Sequence, residues 1–400
     1  MEMFSALRHE NFRLFWFSQF ISQTGTWMQS LGRGWLVLEL TNQPFWLGAV
    51  GAAGTFPILF FALAGGVVAD RYPKRSVLVC TNALSTVITF AMAILTHGGW
   101  VTVWQVMVLA FLLGTIKAIE MPTHQSFVVE MVGKEDLMNA IALNSSSFNT
   151  ARVLGPAVAG VTVAIAGIAA CFYLNALSYV PVIVAFWLMR KLPAQRPRRS
   201  RSVAHDLKEG LSFVRGERRV QALVALVAVS SLFGFPFLTM MPAFARDVFH
   251  VGPGGLGGML ALSGAGSVAG ALVLAARSNR DGKGRMAVAA GMVFAASISL
   301  FALTARPAVA FPALVAAGWG MVTLIAPANT LVQSIVPDEL RGRVMSLFSL
   351  VLLGMMPVGN LLVGALAGTI GTPAAVGLSG GALGLAILVI TALRPEVLRL

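Results

Sequence analysis

Apolar residues gather along this chain into twelve long blocks separated by short polar breaks, at approximately 12–40, 45–69, 76–96, 101–128, 139–166, 170–190, 219–245, 254–276, 286–305, 309–333, 343–369 and 372–393. Each block has roughly the 20 residues that a helix needs to cross the ~30 Å hydrocarbon core of a bilayer. The first block runs well past the roughly 7–15 apolar residues of a signal-peptide core, and no small-residue cleavage site follows it, so a retained first helix is expected.

Composition agrees with the pattern. Of the 400 residues 57% are hydrophobic and 11% charged, against roughly 25% charged in a soluble domain. A soluble fold could not cover so much apolar surface, which excludes soluble enzymes, disordered chains and secreted disulfide scaffolds. Cys80 and Cys171 stand in apolar runs with no His or Cys nearby, so they are expected as small buried hydrophobes, with neither a disulfide nor a metal site.

The formal net charge of +13 would suggest nucleic acid in a soluble chain, but here position overturns that reading. Twelve spans put both termini on one side, and that side carries 24 of the 29 Lys and Arg residues, among them Lys134, Arg277 and Arg280. Only Arg246 and Arg306 fall on the other side. The positive-inside rule therefore predicts cytoplasmic termini and no nucleic-acid partner. Trp35, Trp46, Trp100 and Trp104 lie near the outer ends of their spans, as an aromatic belt would.

The halves read as copies. Gly155-Pro156 and Gly160 in span five have counterparts in Gly359 and Gly364 of span eleven, 204 residues on. Each is preceded by a proline-containing span, with Pro122 or Pro327, and by an acidic-start loop. The expected fold is all-α and membrane-integral, with one six-helix bundle over 1–195, another over 219–400 and a basic linker over 196–218. Within the linker Val203, Leu207, Leu211 and Val214 recur at helical spacing, which predicts a short amphipathic helix on the cytoplasmic surface.

The loop after span two reads Gly66-Val-Val-Ala-Asp70-Arg71-Tyr72-Pro73-Lys74-Arg75 and resembles the G-x-x-x-D-R-x-G-R-R/K signature of the major facilitator superfamily, departing from it at Pro73. The resemblance implies a gate built from Gly66, Asp70, Arg71, Lys74 and Arg75. Gly66 would let span two approach a neighbour closely, while Asp70 would accept hydrogen bonds at a helix N-terminus and pair with an Arg. Gly155-Pro156-Ala-Val-Ala-Gly160 is similar to the antiporter signature of that superfamily and implies export. Gly25-Thr26-Trp27-Met28-Gln29, Leu143-Asn144 and Pro337-Asp338-Glu339-Leu340-Arg341-Gly342-Arg343-Val344-Met345-Ser346 resemble the enterobactin-exporter and multidrug-efflux branch.

Polar residues inside the spans supply the candidate chemistry. Gln19, Gln23, Thr26, Ser30 and Arg33 follow at spacings of 4, 3, 4 and 3, which stacks them on one face of span one. Lys117, Glu120 and His124 do the same on span four, and Ser145, Asn149 and Arg152 on span five. Charges at such depth cost several kcal/mol unless they pair or meet water, so these faces are expected to line the substrate path. Two other placements stay open: Glu120 and His124 in the cytoplasmic mouth, and Arg33 paired with Glu39. Glu120 is the leading proton site, with Lys117 or Arg152 as its displaced partner. Spans seven to twelve have no ionisable residue between their ends and offer Phe233, Phe235, Met240, Met241, Met321, Met355 and Met356. The run Gly264-Ala-Gly266-Ser-Val-Ala-Gly270 follows no strand, and no phosphate-binding G-x-x-x-x-G-K-[ST] occurs, so no cofactor is expected.

The expected function is therefore secondary export of an amphiphilic small molecule from a bacterial inner membrane, in exchange for protons. Its partners would be that substrate, protons and membrane lipid. A uniporter or lysolipid-moving transporter is the alternative within transport, and a scaffold or sensor the alternative outside it. No Ser/His pair, H-E-x-x-H or paired carboxylates occur in the spans, which argues against an enzyme.

Overall fold

The computed structural model describes residues 4–133, 135–190, 203–276 and 282–400, with the side chains of 62, 63 and 203–208 left out. Lys134, Arg277, Arg280 and linker residues 191–202 lie outside the described residues, as do the side chains of Val203 and Leu207. Helices are α1 (Glu10–Thr41), α2 (Pro44–Arg71), α3 (Lys74–His97), α4 (Val103–Val132), α5 (Leu137–Ala166), α6 (Ile168–Leu188), α7 (Val203–Gly216), α8 (Arg218–Val229), α9 (Pro236–Ala243), α10 (Pro253–Ala276), α11 (Lys283–Leu303), α12 (Pro307–Ile335), α13 (Asp338–Ile370) and α14 (Thr372–Leu393). No strand occurs among the described residues. In hydrocarbon a lone segment must satisfy its own backbone groups, and a helix does so.

Between α8 and α9, and again after α9, the chain makes one π turn, at Ser230–Gly234 and Phe244–Val248, without leaving the helical rod Arg218–Val248. Pro236 has no N–H to donate at the first of these, and Phe235 N–H reaches five residues back to Ser230 O at 3.0 Å. Among the described residues, eleven helical rods are long and apolar enough to span a bilayer. The twelfth long helix, α1, has 32 residues, about 48 Å at 1.5 Å per residue. Its Gln, Ser, Thr and Arg residues, rather than its length, set it apart.

The chain forms two compact units, one of Met1–Leu40, Phe56–Ser200 and Pro253–Gly258, the other of Thr41–Thr55, Arg201–Gly252 and Met259–Leu400. Small residues on the fifth span of each half govern its packing. In the first unit a Cβ on Gly155 would stand 2.5 Å from Trp27 Cβ of α1, and one on Gly160 would stand 2.9 Å from Gly254 Cα of α10. In the second unit a Cβ on Gly359 would overlap Leu232 O, and one on Gly364 would lie 2.8 Å from Gly48 Cα of α2. Fifth helix against first and against second-of-the-other-half is thus one design used twice. The turns after α5 and α13 each hinge on one glycine in the left-handed region, Gly167 (φ 77°) and Gly371 (φ 86°), again 204 residues apart.

A further pair of matched contacts ties each bundle at its basic end. Ahead of α1, Ser5–Arg8 forms a short 3-10 turn that docks on the start of α5. Ala6 N–H donates to Asn139 Oδ1 at 3.0 Å, Ser5 Oγ to Asp136 Oδ1 at 2.6 Å and His9 Nε2 to Asp136 Oδ2 at 2.8 Å. The Ser5 hydroxyl, and then His9, hold the Asp136 carboxyl below the usual carboxylate range. Beneath this clasp Ala6, Phe12, Phe15, Leu78, Phe127 and Phe186 form an apolar cluster. In the other unit, Glu209 of α7 pairs with Arg343 of α13, and a Cβ on Gly210 would lie 3.1 Å from Arg343 O. The linker helix expected from Val203, Leu207, Leu211 and Val214 is therefore present as α7, and it is pinned to α13 by an ion pair and by close backbone packing.

Candidate functional site

Lys117 and Glu120 lie one turn apart on α4, and Lys117 Nζ stands 2.8 Å from Glu120 Oε2. The pairing is local because i and i+3 share a helix face. Glu120 is 5% exposed, which makes it a buried carboxylate on that face. One turn further His124 places its ring centroid 4.7 Å from that of Phe15 on α1. Glu39 accepts from Trp35 Nε1 at 2.7 Å, and Arg33 is half-buried. The Arg152 guanidinium carbon is 5.8 Å from the centre of the Trp27 ring, which in turn meets Phe148 edge-on.

The polar stripe on α1 divides in two. Gln19 is buried, and its Nε2 has no hydrogen-bond partner among the described residues; nor does Gln23 Oε1. Thr26 donates to Ser22 O at 2.9 Å, and Ser30 is exposed. On α5, Asn149 Nδ2 donates to Ser145 O at 2.9 Å, so these two are bonded along their own helix.

A buried polar network in the first unit was not anticipated from the sequence. Asn175 Nδ2 on α6 donates to Gln29 Oε1 on α1 and lies 3.4 Å from Tyr179 Oη; Thr89 Oγ1 on α3 lies 3.5 Å from the same Gln29 oxygen. Ser178 Oγ donates to Asn175 Oδ1 at 3.0 Å. Asn175, Thr89 and Tyr179 are all buried, and Gly25 lets α1 approach, since a Cβ there would stand 2.5 Å from Ser178 Oγ. The signal was the run Asn175, Ser178, Tyr179 and the stripe Asn82, Ser85, Thr89, each at helical spacing inside an apolar block.

Several residues sit otherwise than expected. A Cβ on Gly66 would meet no described atom within 4 Å; the close approach of α2 to α4 is made at Gly65, where a Cβ would overlap Ala118 O. Asp70 lies in the last turn of α2, at a helix C-terminal end, and is exposed, with no ion pair among the described residues. Arg71 is exposed as well, whereas Lys74 pairs with Glu130 of α4, and Arg75 Nη2 donates to Trp187 O at 3.1 Å at the end of α6. These two basic residues therefore fasten α3 to its neighbours, Arg75 by capping a helix whose last carbonyls have no internal donor. Cys80 is exposed rather than buried; Cys171 is buried. Met240, Met241 and Met321 are buried core residues, while Phe233, Phe235, Met355 and Met356 keep partial exposure.

A family model described as transmembrane secretion effector matches residues 1–398. The staphyloferrin A transporter of Staphylococcus aureus is 25% identical over 365 residues, covering 90% of this chain and 90% of that one. The multidrug efflux pump Tap of Mycolicibacterium fortuitum is 28% identical over 349 residues, covering 84% of each. The fold is shared with a solved POT family transporter in complex with a thioalcohol-conjugated peptide, at a TM-score of 0.79 and 11% identity over 97% of this chain and 96% of that one.

Proposed function

Because the chain belongs to the transmembrane secretion effector family of major facilitator transporters, and is a secondary transporter rather than an enzyme, we propose that it exports an amphiphilic, anionic small molecule with Glu120 as the proton site. The observation that carries this reading is the buried Glu120 carboxylate with Lys117 Nζ at 2.8 Å, in the unit that also holds Arg33 on α1 and Arg152 on α5. Three cations against one carboxylate leave a net positive field in a medium of low dielectric, where it attracts anions. The named relatives, a staphyloferrin A transporter and a multidrug efflux pump, agree with movement of a small molecule. The termini are proposed to face the cytoplasm, with the halves 1–195 and 219–400 alternating access and 196–218 tethering them.

Proton binding at Glu120 dissolves the ion pair and releases Lys117, a change of charge that a transport cycle can use. The antiporter-like Gly155-Pro156 and Gly160 favour exchange, although charge counting alone pulls proton and anion into the same state. Exchange therefore requires that the cargo and the proton displace one another. In proteoliposomes holding an acidic lumen, exchange predicts uptake of an anionic amphiphile driven by proton exit, and loss of that drive in Glu120→Gln with binding retained. Drive by the opposite gradient would establish cotransport, and gradient-driven flux in Glu120→Gln would remove Glu120 from the role.

A further inference from the structure

Two aromatic residues without a part in proton coupling stand among the polar ones of α1 and α5. Trp27 follows Gln23 by four residues and precedes Ser30 by three, while Phe148 follows Ser145 by three and precedes Arg152 by four. At those spacings each ring shares a helix face with the polar stripe of its own span, which sets it apart from a lipid-facing row of apolar side chains. The two faces meet there. Trp27 and Phe148 pair edge-on with ring centroids 5.7 Å apart at 66°, and the Arg152 guanidinium carbon lies over the Trp27 ring, 5.8 Å from its centre. Gly155 fixes the arrangement: a Cβ there would stand 2.5 Å from Trp27 Cβ and 2.8 Å from Thr24 O, so α1 and α5 touch at the root of the indole. Trp27 is half-buried, whereas Phe148 is 48% exposed and keeps ring surface for a further partner.

An aromatic pair alone would suit a cation, which the negative face of a ring attracts. Here the guanidinium already stands over Trp27, and a second cation would be repelled by it. A planar guanidinium matches a carboxylate through two parallel N–H donors, and a third ring packs edge-on or offset against Trp27 and Phe148. A carboxylate conjugated to an arene meets both demands as one flat unit, because its charge lies at the rim of the ring that stacks. We infer that Trp27 and Phe148 are specificity-determining residues, which together with Arg152 take an aryl-carboxylate part of the cargo. This inference rests on the reading of the cargo as an anion, and adds that the anionic group is carried on an aromatic ring. A saturated ring of like size has the same charge and apolar bulk but no π face, so Trp27 and Phe148 separate arene from cyclohexane while Arg152 treats the two alike.

The test is calorimetric binding of para-butylbenzoate and of its ring-saturated trans-cyclohexane analogue to the purified chain in nanodiscs, with empty nanodiscs subtracted, for wild type, Phe148→Leu, Trp27→Leu and Arg152→Gln. Wild type should bind the benzoate about threefold or more tighter than the saturated acid, the margin of one aromatic pair beyond its area. Phe148→Leu and Trp27→Leu should erase that ratio, whereas Arg152→Gln should weaken both acids and keep it. A merely structural role for either ring would weaken both acids together and leave the ratio in place. Trp27 is rooted against Gly155, so should its variant not fold, Phe148→Leu and wild type decide. Equal binding of the two acids by wild type, or a ratio that survives Phe148→Leu, overturns the inference and leaves the anionic reading standing. para-Butylbenzylammonium carries the opposite charge on the same ring, and its tighter binding by wild type would remove the anionic reading and the inference with it.

Discussion

The two units use one packing scheme and opposite polar chemistry. In the first, buried polar side chains bond across helices, Gln29 of α1 with Asn175 of α6 and Thr89 of α3 near the same oxygen, and Lys117 pairs along α4 with a buried carboxylate. In the second, the buried polar side chains among the described residues are Ser, Thr and Asn, all neutral; three of them return to a backbone carbonyl, while Ser231, Ser263 and Thr323 have no hydrogen-bond partner among the described residues. Ser230 donates to Leu226 O at 2.7 Å, Ser267 to Ser263 O at 3.0 Å and Ser379 to Phe233 O at 2.7 Å, where the π turn leaves a carbonyl in need. Across helices, Thr239 Oγ1 donates to Asn360 Oδ1 at 2.9 Å. Shared glycines therefore speak for a shared scaffold, while the charges within the spans lie in the first unit.

The largest expected effects probe the shared scaffold. Gly155→Ala and Gly359→Ala each push a methyl into a contact already closed, against Trp27 Cβ and Leu232 O, and overpacking of this kind costs about 1–3 kcal/mol. Both should lower the melting temperature of the purified protein, Gly359→Ala more, because a backbone carbonyl yields less than a side chain. A normal melting temperature in either variant would break the equivalence of α5 and α13.

Smaller differences sharpen the chemical contrast. Asn175→Leu strips partners from Gln29, Ser178 and Tyr179 at once and should cost about 1–3 kcal/mol, the desolvation of buried groups left unpaired. Asn360→Leu leaves only the Thr239 hydroxyl, a neutral group, and should cost about 1 kcal/mol. Thermal unfolding of the two variants side by side checks the order, and an equal or reversed cost would mean that the first unit's network is no more consequential than the Thr239–Asn360 bond.

Span number, the half-length repeat and the α4 stripe were legible because each has a strong periodic signal: apolar blocks of bilayer length, an offset of 204 residues, and Lys117 and Glu120 one turn apart. The pairing at α4 is local, so sequence spacing alone implies it. The network at Asn175 was not legible, since it depends on which faces of α1, α3 and α6 meet, and Gln29 lies off the stripe that runs from Gln19 to Arg33. Gly66 and Gly65 illustrate the same limit: a motif tells that a small residue matters nearby, but a shift of one residue turns a helix face by about 100°, and only the packing of α2 on α4 chooses between them. Arg75 was read for its charge, whereas its contact is to the last carbonyls of α6, which no local pattern announces.

The placement of charge in one unit leads to a claim about cargo, that the guanidiniums of α1 and α5 select anions. Binding of a matched pair of anionic and cationic amphiphiles of equal apolar size, measured on purified wild type and on Arg33→Gln and Arg152→Gln, tests this most directly. The account predicts tighter binding of the anion by wild type and a loss of roughly tenfold in anion affinity in each variant, the 1.4 kcal/mol that one desolvated charge pair readily supplies. Tighter binding of the cation by wild type, with anion affinity unchanged in both variants, would contradict it.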